Sequence, residues 1–538
     1  MSTTSKNTVI TISVIIIISL AAVGYYYFSY LPSEKARKDE EQRLEEEQKL
    51  KDEQRRTLIV GYAADPVVLD TVESTHMHDF DVMINIVETL VRLKAPDFKE
   101  IEPLLATSWE PSEDSKVWTF HLREGVQFHD GTDFNSQAVK YNFDRVIAAQ
   151  KYEVESIEKV EVVDDYTVRF TLIEPFAPFL SILTFGRLGI VSPTAYQTMG
   201  EEIMRHPIGT GPFVFDHWDE GIEVVLTANK DYWGNPPKLD KIIFKIIPEA
   251  STRRMELEAG HIDIDYAYDA RLTDMPEFLK NLDIKVQQIP GMCSRYIGIN
   301  HAKEPFNKKL VRQAIAYAID YDSIVNEILV GFGERLYCAV LPHIMGSAQD
   351  DPNLIRYTYD PTKAKELLSE AGYPNGFTAT LIYPSLDPVR TDVAIQVQSN
   401  LAEIGITVEL EGQDWGTITE SITGYDYDFI VYGWCGDYLD ADTFIWPKMH
   451  SSAIPRPNYE HFSNATFDEL MEEARRIADP EKRKELYWET QELANEEVVE
   501  VYIYYNLIMG AQREWVKDFY LTPLYVNYYD TVYKTEPK

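Results

Sequence analysis

The chain has 538 residues, an apolar fraction of 45% and a formal charge of −37. Its length suits about three or four domain-sized units with large cores. Its acidity excludes a nucleic-acid binder, because phosphate contacts need clustered Lys and Arg. The three cysteines, Cys293, Cys338 and Cys435, are too few for a disulfide scaffold and fit no zinc spacing; one disulfide and one free thiol is a possibility for an exported chain.

In chain order, residues 9–31 carry no charge. As a helix they span about 34 Å, enough for a hydrocarbon core of about 30 Å. Tyr25, Tyr26, Tyr27 and Tyr30 would form an aromatic belt at one interface. A signal peptide cut at Ala21 or Ala22 is the rival reading, but the apolar run continues past those alanines. Residues 1–32 are therefore read as a single-pass anchor in the cell membrane. No cysteine lies near for lipid attachment. Residues 33–56 are almost entirely charged and read as a solvated helical stalk. Acid-before-base pairs recur four apart: Glu34–Lys38, Asp39–Arg43, Glu45–Lys49, Glu47–Lys51 and Asp52–Arg56. Each is worth a few tenths of a kcal/mol. Leu44 and Leu50 alone cannot build a coiled-coil seam.

The globular part opens with a strand at 57–62. Residues 117–122 and 167–172 alternate as half-exposed strands do, and 135–149 reads as a helix. Strands follow at 224–227 and 242–247, with a short helix at 252–259. From about residue 284 the pattern alternates. Helices are expected at 309–330, 361–371 and 392–404, and strands at 378–382, 407–411 and 429–432. Residues 466–496 are helical, and the tail, 502–533, is strand-like and rich in tyrosine. This is an α/β pattern without a solenoid repeat.

Enzyme motifs are absent. There is no G-x-x-x-x-G-K-[ST], no H-E-x-x-H and no G-x-S-x-G. Ser156 and Lys159 match S-x-x-K, a pattern close to noise alone. His76 and His78 lack a third ligand nearby in sequence and read as surface or loop histidines. No catalytic residue, metal site or cofactor is assigned. His129-Asp130-Gly131 reads as a turn, and Gly209-Thr210-Gly211-Pro212 as a turn before a strand rather than a phosphate cradle, since no Lys follows.

Five stretches together resemble one family: PLLATSWEPSEDSKVWTFHLREGVQFHDGTDFNSQAVKYNFDR (103–145), PIGTGPFVF (207–215), NKDYWGNPPKLDKIIFKII (229–247), PFNKKLVRQAIAYAID (305–320) and AKELLSEAGYPNGF (364–377). They are similar, in order and spacing, to the extracytoplasmic peptide/nickel solute-binding proteins of ABC importers, from about residue 57 to near the C-terminus. The resemblance implies a two-lobed periplasmic-binding-protein fold of the large class II type, its lobes joined by two crossover segments. Lobe I would comprise 57–291, with an inserted subdomain at about 100–190, and the returning tail 506–538. Lobe II would comprise 292–505.

Within the family, a further set of residues resembles the oligopeptide branch. Trp434-Cys435-Gly436-Asp437-Tyr438 matches that branch's Trp-Cys-x-Asp-Tyr, Cys293 lies seven residues before Asn300, and Trp415 lies nineteen before Trp434. The resemblance implies a disulfide between Cys293 and Cys435. It also implies that Asp437 receives a peptide's α-ammonium, within a site formed by Trp415, Gly433, Trp434, Cys435 and Tyr438. A closing apolar cleft strengthens such a charge-assisted bond. The bland alternative is that Asp437 only turns the chain after a strand. Positions where the branch meets ligand carboxylates hold Val389, Ile422 and Val431, and the dipeptide branch's arginine matches Pro384. Arg390 lies close by and is the expected substitute.

The resulting expectation is a membrane-tethered protein, its globular part outside the cell, that captures peptides and delivers them to an ABC permease. The same scaffold could hold an oligosaccharide on Trp415 and Trp434. A secreted membrane-bound hydrolase lacks a nucleophile or metal motif, and a chemosensory input domain lacks a cytoplasmic signalling segment.

Overall fold

The computed structural model describes residues 3–30, 34–74, 76–266, 274–524 and 526–536. The expected junction of anchor and stalk, at 31–33, lies outside the described residues. Thr3–Tyr30 and Glu34–Arg56 are helices. Among the described residues no helix is long and apolar enough to cross a membrane. In the second helix two of the expected four-apart ion pairs, Asp39–Arg43 and Asp52–Arg56, give way to three-apart ones, while Glu34–Lys38 involves a side chain outside the described residues. Arg43 pairs with Glu40 at 2.7 Å and Arg55 with Asp52 at 3.1 Å. Lys51–Glu47 keeps the four-apart spacing at 3.9 Å. The helix docks at its end: Arg56 Nη2 lies 2.6 Å from Asp240 Oδ1, and Lys534 Nζ donates to the carbonyls of Gln54 and Thr57.

Among the described residues, eleven strands form one sheet that runs through both lobes. In one half, Thr57–Tyr62 pairs in parallel with Lys241–Ile246 and with Ile264–Asp265. Glu223–Ala228 and Phe213–Asp219 extend that edge antiparallel. In the other half, Thr378–Pro384 lies parallel to Thr407–Gln413 and to Phe429–Cys435. Two long strands, Ile284–Ile299 and Glu500–Arg513, lie side by side and join the halves. They pair as Ile284–Pro290 with Leu507–Arg513 and as Ser294–Gly298 with Glu500–Tyr505, the register shifting between Pro290 and Ser294. Parallel strands buried on both faces need continuous apolar runs, and Val60, Phe244, Leu381 and Phe429 are all fully buried.

A separate four-stranded antiparallel sheet contains Ala106–Pro111, Val117–Leu122, Thr167–Leu172 and Ile157–Asp164. Alternation places Trp118, Phe120 and Leu122 inside, against Phe143 of the helix Ser136–Ala148. Asn135 caps that helix by accepting from Ala138 N–H. Ser156 immediately precedes a strand rather than opening a helical turn.

Three helices differ from the sequence reading, each because a capping side chain resets the backbone. The helix expected at 309–330 stops at Ala318, because Ile319 is extended and Asp320 accepts from Ser323 N–H to start a new turn. The stretch 466–496 splits into Ala465–Arg476 and Pro480–Glu497, with Pro480 in the first turn and Asp479 as its cap. The helix expected at 392–404 begins at Pro388, capped by Asp387. His78 is buried, its ring 4.9 Å from that of Tyr62, rather than exposed on a loop. Gly209 and Gly211 serve close packing: a Cβ would fall 2.1 Å and 2.6 Å from Ile86 O.

Candidate ligand-binding site

The strand Phe429–Cys435 holds three of the candidate residues, Gly433, Trp434 and Cys435. Its apolar first half, Phe429–Val431, is buried, and exposure begins at Tyr432. Seven residues pair antiparallel with the long strand, from Phe429 opposite Ile299 to Cys435 opposite Cys293. At that last pair the two sulfurs are bonded, while Cys338 is a buried free thiol. Burial pushes the Cys338 thiol up to about 12, so it is an inert small hydrophobe.

The chain then turns. Gly436 N–H donates to Met292 O at 2.8 Å. A Cβ on Gly436 would fall 2.5 Å from the Phe444 ring, so only glycine fits. Asp437 follows, half-buried, its N–H donating to Thr443 Oγ1 at 3.3 Å. Tyr438 donates its hydroxyl to Asp442 Oδ2 at 2.9 Å, and its ring packs against the core of the four-stranded sheet. Asp440 closes the turn: both its oxygens accept from Arg483 Nη2, at 2.8 and 3.0 Å. Asp437 therefore sits on a loop pinned at each end, and the next residue packs against the core of the four-stranded sheet.

The expected aromatic residues group around Tyr432. Trp415 opens the helix Trp415–Gly424 and stacks on Tyr432, with ring centroids 5.8 Å apart and planes 9° apart. Trp434, two residues on and so on the same strand face, donates its indole N–H to Thr443 O at 2.7 Å. Trp415 is 53% exposed and Leu386, on the loop before the helix Pro388–Glu403, is 90% exposed. Arg390 reaches this group. Its Cζ is 5.6 Å from the Trp415 ring, and its Nε is 3.1 Å from Asp387 Oδ2. Gly433 faces Arg295, and a Cβ there would fall 2.7 Å from Arg295 Nη1. Arg390 and Arg295 both act electrostatically on the buried Tyr504 hydroxyl, whose pKa burial raises.

Sequence reasoning passed over Arg295, Asp440, Asp442, Thr443, Arg475 and Arg483. The signal available was the acid run after the motif, Asp437, Asp440 and Asp442, since repeated carboxylates in an apolar stretch need basic partners. Against Tyr296, whose ring faces Tyr432, lies a buried charge cluster. Lys448 Nζ is 2.6 Å from Glu500 Oε2, with side chains 1% and 0% exposed. Burial, reinforced by the neighbouring Glu500, drives the Glu460 carboxyl well above the usual carboxylate range. Among the described residues no His, Cys, Asp and Glu side chains gather in a metal-holding group.

Residues 100–455 match the family described as bacterial extracellular solute-binding proteins, family 5. The chain is 31% identical over 482 residues to the probable D,D-dipeptide-binding periplasmic protein DdpA of Escherichia coli, covering 87% of this chain and 92% of that one. Among solved structures it is similar to HbpA2 of Haemophilus parasuis, with a TM-score of 0.84 and 29% identity over 89% of this chain and all of that one. It is also similar to the ABC transporter-associated periplasmic binding protein DppA of Helicobacter pylori in complex with the peptide STSA. There the TM-score is 0.72 and the identity 33%, over 90% of this chain and all of that one.

Proposed function

The chain belongs to the family 5 bacterial extracellular solute-binding proteins, and from that premise we propose that it captures peptides through their free N-terminus at Asp437. It is a binding protein of the ABC-importer class rather than an enzyme. The observation that carries the peptide reading is the geometry of the Cys435–Asp442 loop. A half-buried carboxylate is held there by the disulfide, by Gly436 N–H on Met292 O and by Asp440 on Arg483. Such preorganisation means that little ordering cost falls on the bound ammonium. Trp415, Tyr432 and Trp434 supply flat apolar surface for the first side chains. Arg390, with Arg295 beside Gly433, is the cation we assign to a ligand carboxylate. Two of the proteins named above are described as a probable D,D-dipeptide-binding protein and as a complex with the peptide STSA, which favours short peptides.

We further infer the lobe limits 57–291 with 506–538, and 292–505. The uncharged run 9–31 and the charged helix behind it support an anchored protein with its globular part outside the cell. From there it would hand peptide to an ABC permease.

The test is isothermal titration of wild type and Asp437→Asn with the free and N-acetylated tetrapeptide STSA, preceded by native mass spectrometry to identify co-purifying ligand. Leaving the ammonium unpaired in a closed site costs about 2–5 kcal/mol. Asp437→Asn therefore weakens binding by at least one to two powers of ten. Acetylation weakens the wild type similarly and the variant less. Equal affinities in all four combinations would reduce Asp437 to a turn residue. An oligosaccharide site, favoured by the half-exposed Trp415–Tyr432 stack, would instead respond chiefly to Trp415→Ala and Trp434→Ala.

A further inference from the structure

We propose that Arg475 is a positioning residue for ligand capture, fastening lobe II to lobe I beside the ligand loop so that closure over a ligand depends on it. This rests on the reading of Asp437 as the ligand anchor. Arg475 lies in the last turn of the helix Ala465–Arg476. Its guanidinium sits between two rings from different lobes: Trp446 of lobe II, 3.9 Å from Cζ, and Phe176 of lobe I, 4.6 Å away. Trp446 is itself stacked on His450, with centroids 3.6 Å apart and planes 13° apart. Phe176 is 6% exposed and belongs to the core of the four-stranded sheet. A four-member stack thus crosses the seam, with one permanently charged flat group at its centre. The main chain follows: Ala177 N–H of lobe I donates to Arg475 O at 2.7 Å.

The same arginine connects to the ligand loop. Its Nε lies 3.1 Å from Asp442 Oδ1, and Asp442 Oδ2 accepts the Tyr438 hydroxyl at 2.9 Å. Tyr438 adjoins Asp437 and presses its ring on the lobe I core. Asp442 is buried, and burial raises its pKa against the pull of Arg475, so the guanidinium is the group that keeps this carboxylate compatible with burial. Beside the stack the seam is hollow. A cavity of about 350 Å³ opens between Glu174 and Pro175 on one side and Trp446 and Glu472 on the other. Adhesion here is therefore concentrated in a few groups instead of spread over a packed interface. Contacts made only when the lobes meet stabilise the closed state alone, and apparent affinity scales with the closed fraction. Removing them speeds release and leaves encounter with the open cleft unchanged.

The experiment uses the full chain in detergent, spin-labelled at Lys159→Cys in lobe I and Lys484→Cys in lobe II. Electron–electron distance distributions are recorded without ligand for Arg475, Arg475→Ala and Arg475→Lys. The wild type gives the shortest and narrowest distribution. Arg475→Ala lengthens and broadens it, and Arg475→Lys, which keeps the charge, recovers part of the shift. Stopped-flow tryptophan fluorescence with STSA then gives a dissociation rate raised about tenfold in Arg475→Ala at an unchanged association rate. Identical distance distributions in the three proteins overturn the proposal, as does an effect confined to the association rate. A residue that merely holds its own helix would lower thermal stability without moving the interlobe distance. If STSA binds none of the proteins, the ligand reading fails, and the ligand-free distances still decide the latch.

Discussion

Removing the disulfide tests how the site is held. The perturbation is Cys293→Ala with Cys435→Ala, which share one ladder pair and are separated by 142 residues. Closing a loop of that length removes about 17 cal/mol/K of unfolded-state entropy, or about 5 kcal/mol at 25 °C. The six remaining pairs of the ladder, down to Ile299 opposite Phe429, persist in the folded double variant, so the native state loses little. Residual structure in the reduced chain trims the figure, and a loss of about 2–5 kcal/mol is expected. Guanidinium unfolding followed by tryptophan fluorescence measures it as a lowered midpoint. The affinity for STSA should change by less than about threefold, because Gly436 N–H on Met292 O and Asp440 on Arg483 still hold the loop. A stability loss below about 1 kcal/mol would refute the loop-entropy reasoning. A large loss of affinity at unchanged stability would show that the sulfur bridge, not the hydrogen bonds, aims Asp437.

Lys448→Met strands the Glu500 carboxylate in the core and should cost about 3–5 kcal/mol in urea unfolding at pH 7.5, with Lys448→Met plus Glu500→Gln regaining most of it. Unfolding energies that are equal in the single and double variants would dismiss the ion pair. Burial raises the Glu88 carboxyl to about 7 against the donated bonds of Tyr232, Trp233 and Thr210. A raised acid contributes stability that is complete below its unfolded pKa of roughly 4.3 and is lost as pH climbs to about 7. Glu88→Gln should therefore flatten the stability profile between about pH 5 and 7 by up to roughly 3 kcal/mol, and an unchanged slope would contradict it. Gly209→Ala should lower the melting temperature markedly, since the new Cβ meets the rigid Ile86 carbonyl; a wild-type Tm would show the turn can move away. A chain beginning at Thr57 should remain folded and bind STSA as the full chain does.

Legibility in the sequence followed the range of the interactions. The strands Thr57–Tyr62, Val117–Leu122 and Thr167–Leu172 were read at their observed limits, because alternation is a property of neighbouring residues. The helix limits at Asp320, Asp387 and Asp479 were missed: each depends on a carboxylate choosing a backbone N–H over solvent, which composition does not disclose. The pairing of Cys293 with Cys435 was legible through the family's motif. Arg475 was not, because Trp446 lies 29 positions away and Phe176 lies 299 away, and only the folded chain brings the three side chains together.

The two long strands that join the lobes have a mechanical consequence. They are adjacent and hydrogen-bonded to each other on either side of the shift between Pro290 and Ser294. A third strand, Gly333–Arg335, is laid against Tyr504–Asn506 at that same level. A hydrogen-bonded ribbon resists stretching and in-plane shear but yields to bending out of its own plane, as a leaf spring does. Between Pro290 and Ser294 the first strand has no ladder pair on the second, and Cys293 is tied instead to Cys435. Bending out of the ribbon's plane is therefore the softest motion open to the two halves of the sheet.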